Sequence, residues 1–312
     1  MKDFTLTEYT LLLDKLLTAG YAFIPFQELL GQPDSSVRSN SSPSKTDAPC
    51  VAPPTPTDPS AGTQLFLRDS IGAPCSAVSA LAVQQENNKT IVLRHDVDKR
   101  PGNSLATARI EAERGIRASY YFRVGKESND PSIIREIVAL GHEIGYHYED
   151  VSICKGDIAK AKAHFEQWLA YFRTFYPVKT ICMHGAPMSP WDSRTLWKHY
   201  DYHDFGIIGE PYFDVDFSKT FYLTDTGRCW DGYKVSVRDK IVGHQDRWIE
   251  EGLVYHHTAD ILRAIEAGTL PKQVMITTHP QRWTNNLILW TKEGIVQNLK
   301  NIIKRYVAKN SK

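Results

Sequence analysis

What the chain lacks narrows it before any motif is read. Its 312 residues hold five cysteines, Cys50, Cys75, Cys154, Cys182 and Cys229, an odd number, widely spaced and without a C-x-x-C pair. That pattern argues against a disulfide framework and against a thiolate zinc site. Charge of one sign is not in excess either, since 37 Lys and Arg stand against 36 Asp and Glu, a formal net charge of +1. Without a cationic field to gather a polynucleotide, nucleic acid is not an expected partner. No apolar run approaches the roughly 18 residues of a membrane span, and Met1-Lys2-Asp3-Phe4-Thr5 does not open a secretory signal. A cytoplasmic protein without a membrane span is expected.

What is present is an alternation of strand and helix. Residues 6–30 carry a helical pattern through Tyr9, Leu12, Leu13, Leu16 and Leu17, stopped by Gly20, and then a strand-like piece from Tyr21 to Phe26. Residues 1–31 therefore form an αβ unit, expected to pack on the rest. Over residues 32–62 Pro, Ser and Thr dominate, and Pro53-Pro54-Thr55-Pro56 is too proline-dense for a helix or central strand. A disordered or low-complexity insertion is predicted there. The stretch from Leu65 to Val83 is apolar without a period and assigns no element. After it, strands at 91–94, 118–124, 142–147, 178–183 and 274–278 alternate with helices near 104–114, 131–140, 157–175 and 291–307. Such βα repeats imply a parallel sheet or barrel, over residues 63–312.

The polar residues fall at one end of these strands. The apolar run Ile91-Val92-Leu93 ends in Arg94-His95-Asp96-Val97-Asp98, and period-two alternation puts Asp96 and Asp98 on one side and His95 on the other. Capping or salt-bridging aspartates at a strand-to-loop turn are the plainer explanation of that pair. However, His147 follows the third strand, His184 the fourth and His279 the last, all at carboxyl ends, where parallel α/β folds build their active sites. Carboxylates and imidazoles converging on one mouth suit a divalent ion with about three protein ligands, a base and an acid. Arg94, Arg123 and Arg282 flank these positions and are candidate contacts to a substrate phosphate or carboxylate. Tyr148 is a candidate substrate contact, and Tyr212, Phe213, Trp230, Tyr233, Trp191 and Trp283 are candidate substrate-stacking rings, although most could equally be core. In the turn Asp225-Thr226-Gly227-Arg228, Asp225 and Arg228 either orient the acid, bind an anion or form a plain salt bridge.

Four segments carry a resemblance. Ile91-Val92-Leu93-Arg94-His95-Asp96-Val97-Asp98, Ala118-Ser119-Tyr120-Tyr121-Phe122, Gly141-His142-Glu143-Ile144-Gly145-Tyr146-His147 and Ile276-Thr277-Thr278-His279 together resemble the polysaccharide deacetylase family, the NodB-homology group of carbohydrate esterases. The likeness spans about residues 90–285. It implies a distorted (β/α) barrel, usually of seven units and here with an extra N-terminal αβ unit, and metal-dependent, most often zinc-dependent, deacetylation of acetylated sugars. By position, the resemblance makes Asp96 the base, Asp98 and His147 metal ligands and His279 the acid. Two positions depart from the family's pattern. Val151 stands where a second metal histidine belongs, and His184 stands where an arginine belongs. His184 is the candidate third ligand, with Glu149 and Asp150 as rivals. The expected partner is an acetylated carbohydrate or a sugar-linked intermediate. The competing expectations are hydrolysis of small non-sugar amides on the same barrel, and a catalytically inactive barrel that binds carbohydrate or a partner.

Overall fold

Short runs of β-branched and aromatic residues form the strands. They are β1 (Tyr21–Ile24), β2 (Lys89–Val97), β3 (Ser119–Phe122), β4 (Glu143–Tyr148), β5 (Ile181–Met183), β6 (Phe221–Thr224) and β7 (Gln273–Thr278). The computed structural model describes residues 2–31, 89–186, 189–230, 241 and 243–310, with side chains as far as 302. The insertion expected at 32–62, the apolar stretch from Leu65 to Val83, and Tyr233 lie outside the described residues.

All seven of these strands are parallel, and six lie in the order β5-β4-β3-β2-β7-β6, with β1 off that path. The strand of the N-terminal unit is one of the seven. β1 pairs with the first half of β2, Tyr21 opposite Lys89 and Ile24 opposite Val92, while β3 takes the second half, Arg94 to Val97. β7 runs along the other edge of β2.

The sheet curls into a half-barrel. In a flat sheet β2 and β5, three positions apart, would be about 14 Å from each other. Instead Arg94 Nη1 on β2 reaches Cys182 Sγ on β5 at 2.7 Å, and Tyr121 on β3 bonds Thr180 beside β5 at 3.0 Å. Beyond β5 the chain at Gly209 bridges to Thr180, so one edge continues for a few residues. The parallel sheet expected from the repeat pattern, and the distorted (β/α) barrel that the resemblance implies, are therefore present as a curled parallel sheet with helices around it. Gly145, in the middle of β4, is where the curl is tightest. A Cβ there would run into the Tyr121 ring and come within 3.0 Å of the Thr180 carbonyl.

Helices cover the outer face. α1 (Leu6–Thr18), α2 (Pro101–Ala112), α3 (Pro131–Ala139), α4 (Ile158–Arg173), α5 (Thr258–Glu266) and α6 (Leu287–Asn310) are the principal ones. The Asp130 side chain caps α3 by accepting from Ser132 and Ile133, and Pro131 takes the first turn, where its missing N–H costs nothing. No helix among the described residues is long and apolar enough to cross a membrane.

Behind β2 the helices are fastened by a buried polar network. Glu111 on α2 is fully buried and accepts from Tyr9 on α1 (2.5 Å) and from Tyr120 on β3 (2.8 Å), and it lies 2.9 Å from His95 Nε2. His95 Nδ1 pairs in turn with Thr278 on β7 at 2.6 Å. Burial alone would lift the Glu111 carboxyl, but His95 and the donors around it outweigh that and hold it below the ordinary glutamate value.

Two outcomes follow. Gly145→Ala should destabilise the protein by about 1–3 kcal/mol, the usual cost of overpacking, read as a lowered urea midpoint at unchanged slope. An unshifted midpoint would mean that Tyr121 yields freely. Because the Glu111 pKa is depressed in the folded state, its contribution to stability is complete above the unfolded value near ~4.3 and is lost as pH falls below it. Unfolding free energy should therefore drop on acidification, and Glu111→Gln should flatten that acid limb in a pH series of urea melts.

Candidate metal centre

The carboxyl ends of β2, β4, β5, β6 and β7 bring the predicted side chains into one mouth. Asp96 is the last residue but one of β2, paired with Tyr121, and Asp98 lies just beyond the strand. His147 stands on β4 with the same inward parity as Gly145, and His184 directly follows β5. Around Asp98 Oδ1 lie His147 Nε2 at 3.6 Å and His184 Nε2 at 3.4 Å. On the other side His279 Nε2 is 3.9 Å from Asp98 Oδ2, which also accepts from Gln281 at 3.1 Å.

The outer nitrogens of both rings fix their orientation. His147 Nδ1 faces the Cys182 carbonyl at 2.9 Å, a partner that only accepts, so the proton sits on Nδ1 and the neutral ring turns a lone pair inward. His184 Nδ1 faces the Glu149 carboxylate at 2.8 Å. Glu149 is held from behind by Arg123, whose Nε donates to it at 2.7 Å and whose Nη1 donates to the Asp98 carbonyl at 3.3 Å. Two imidazole nitrogens thus confront Asp98 Oδ1, a buried oxygen that accepts no hydrogen bond. Lone pairs opposed across 3.4–3.6 Å repel unless a cation lies among them, and two imidazoles with one carboxylate make a donor set for a divalent ion. In their protonated form the same rings attract the carboxylate instead: burial would raise the Asp98 carboxyl, but charged His184, His147 and His279 hold it well below the ordinary range.

Among the described residues a second group, Asp96, His147 and Cys182, also brings its donor atoms within 4.8 Å of one another. It suits a cation poorly. Arg94 lies 2.7 Å from the Cys182 sulfur and 3.4 Å from Asp96, a fixed positive charge among the donors, and burial pushes the Cys182 thiol well above its usual pKa.

Across the mouth, Asp225 after β6 positions His279. Its Oδ1 lies 2.6 Å from His279 Nδ1 and accepts from Arg282 at 2.6 Å, while Oδ2 accepts from the His279 amide at 2.9 Å and the Trp283 indole at 2.8 Å. Burial would raise this carboxyl, and Arg282 and His279 bring it below the usual value. Of the readings open for Asp225, orientation of the histidine is the one this geometry shows.

The rivals and the proposed substrate contacts are placed elsewhere. Asp150 is buried and engages Tyr146 and His164, and Val151 is core. Tyr148 is one residue from His147 and so points to the opposite face, against Phe165 and Trp197. Trp230 is fully buried beside Phe4 and Trp283, with its indole N–H on Thr258, and offers no ring to a ligand. Arg94 lies beneath Asp96 and Arg282 behind His279, so both support site residues rather than face the opening. Arg123 is the least buried of the three arginines, but Glu149 and the Asp98 carbonyl occupy its guanidinium. The Arg228 guanidinium lies over the Trp290 ring. The ring faces left outward are those of Trp191 and Phe213.

No family model matches the chain, and no curated protein matches it. Among solved structures, a CE4 family pseudoenzyme from Bacillus anthracis is similar at 13% identity and a TM-score of 0.37, over 69% of this chain and 61% of that one, less than two thirds of its length.

Glu149→Gln removes the carboxylate that orients His184 while keeping its size. Divalent-metal affinity should fall about 10–100-fold, as measured by chelator competition. Unchanged affinity would take His184 out of the ligand set.

Proposed function

We propose that this protein is a metal-dependent hydrolase that removes an acetyl group from an N- or O-acetylated sugar or sugar precursor. The observation that carries the reading is the juxtaposition of Asp98, His147 and His184 with the Asp96 carboxylate on one side and the Asp225-held His279 on the other. Asp98, His147 and His184 would hold the ion, zinc by this choice of donors, and a bound divalent ion supplies polarisation of an acyl oxygen and acidification of water.

The chain's own groups do the proton work. Asp96 has one oxygen turned to Arg94 and the other, Oδ1, buried without a partner, so Oδ1 is the acceptor for a proton from attacking water. Arg94 fixes that carboxylate in direction. His279 carries its Asp225-facing proton on Nδ1, and Nε2 points into the mouth to hand a proton to the departing nitrogen or oxygen. The Asp225 carboxylate holds the ring in the orientation this transfer needs, much as a buried carboxylate orients a catalytic imidazole elsewhere. The resemblance in the four motif segments supports a sugar as the carrier of the acetyl group, and a sugar-linked intermediate is the partner we assign.

Purified protein should contain about one divalent ion per chain and release acetate from a panel of acetylated sugars and sugar nucleotides. Asp96→Asn should lower kcat by ~10²–10⁴ while the ion stays bound, and His279→Ala should harm amide substrates more than activated esters. A protein that binds no divalent ion would instead be a binding barrel. One that spares sugars but cleaves simple amides would be the non-sugar hydrolase.

A further inference from the structure

Helix α6 turns its polar side to the protein and its apolar side to solvent. Glu293, Gln297 and Asn301, four residues apart, are 3%, 5% and 7% exposed. Glu293 meets Lys99 at 3.2 Å and Arg100 at 3.4 Å, Gln297 donates to Asn301 at 2.8 Å, and Asn301 donates to the Gly227 carbonyl at 2.9 Å. Arg228 locks the helix about its axis. Its Nη1 donates to the Trp290 carbonyl at 3.0 Å, and Gly294 leaves the room, since a Cβ there would lie 2.5 Å from that nitrogen. On the opposite side Ile288, Ile295, Leu299 and Ile302 are 79%, 57%, 57% and 62% exposed, and Leu287 at the start of the helix is 59% exposed. An amphipathic surface helix normally does the reverse, burying its apolar stripe.

The spacing says what covers it. Ile288 and Ile302 stand seven residues before and after Ile295, so these three are symmetric about Ile295 at the heptad interval of a helix–helix seam, with Leu299 falling opposite Thr291 of the other copy. An antiparallel copy laid across a two-fold axis at Ile295 puts Ile288 against Ile302 twice and Ile295 against itself, the self-complementarity that an isologous interface needs. The exposed aliphatic surface is on the order of 500 Å² per copy, hence ~1,000 Å² for the pair, at the threshold of a specific interface and at the upper end of what a monomer leaves bare. A lipid surface fits less well. The helix Leu287–Asn310 does carry Lys292, Lys300, Lys304, Arg305 and Lys309 against Glu293, but among the described residues the groove lined by Leu287, Ile288, Thr291, Lys292, Ile295 and Val296 holds Lys292 alone.

We propose that α6 is the dimerisation surface of this protein, pairing antiparallel with α6 of a second copy about Ile295. Sedimentation equilibrium of the full chain should show a reversible dimer. Ile295→Lys sets two like charges against each other at the axis and should weaken dimerisation at least ~100-fold with the circular dichroism spectrum unchanged. Ile288→Lys should weaken it too, and Ile288→Lys combined with Ile302→Glu should restore it, because those two positions face each other only in the antiparallel arrangement. A wild-type chain that stays monomeric, a dimer indifferent to Ile295→Lys, or a double variant without rescue would overturn the proposal. So would a monomer that sediments with anionic phospholipid vesicles, or one whose α6 amides are protected from hydrogen exchange by another segment of the same chain.

Discussion

The guanidinium of Arg94 lies inside the half-barrel, 3% exposed, and gives its donors to three places at once: Thr277 on β7 at 2.6 Å, Cys182 on β5 at 2.7 Å and Asp96 on its own strand at 3.4 Å. Burial alone would lower its pKa, but Asp96 and Cys182 raise it well above the ordinary value, so the group stays a cation. A buried charge must be paired, and removing one partner of such a set commonly costs 3–5 kcal/mol. The tie between β5 and β2 across the curl, the direction of the Asp96 carboxylate and the unsuitability of the Asp96–His147–Cys182 group for a cation all rest on this charge. It leaves Asp98 as the carboxylate around which imidazoles can gather.

The two faces of β2 do separate work because the strand period is two. Asp96 faces into the mouth, while His95 faces the helices and is tied to Glu111, Tyr120 and Thr278. One short run therefore presents chemistry on one side and is bolted to the helix layer on the other, which keeps the reacting carboxylate from moving with its loop. β4 repeats the device, with His147 inward and Tyr146 and Tyr148 against Phe165. Asp225 extends it on the far wall, where four hydrogen bonds leave His279 no freedom to turn.

Much of this was legible in the sequence, and unevenly. Strands β2, β3, β4 and β7 stood out because apolar runs end in polar motif residues, and helix α3 because Asp130, Pro131 and Gly141 mark both its ends. β6 was missed. Its four residues Phe221–Thr224 lie in an aromatic stretch without a period, so nothing local distinguishes strand from core loop. His184 could be suspected beside His147 because consecutive strands neighbour each other, and β4 and β5 do pair. Tyr148 and Trp230 were misread for different reasons. The alternation that assigned Asp96 and Asp98 to one face also sends Tyr148 away from His147, whereas the burial of Trp230 depends on Phe4, at the far end of the chain. The role of Arg94 beneath Asp96 depends on the curl, which no local pattern encodes.

The register that sets Tyr21 against Lys89 also says how freely this protein can change length. The two strands are neighbours in the sheet but roughly 60 residues apart along the chain, and the entropy of closing such a ring grows only as the logarithm of its length, ~0.6 kcal/mol for each doubling. Loop-closure entropy alone therefore sets little preference for the length of the connection, whereas Phe26, fully buried with its amide on Ser119, ties the residues just after β1 to the sheet. The strand β1 is not free to vary in the same way, because without it the first half of β2 would present an unpaired edge from Lys89 to Val92.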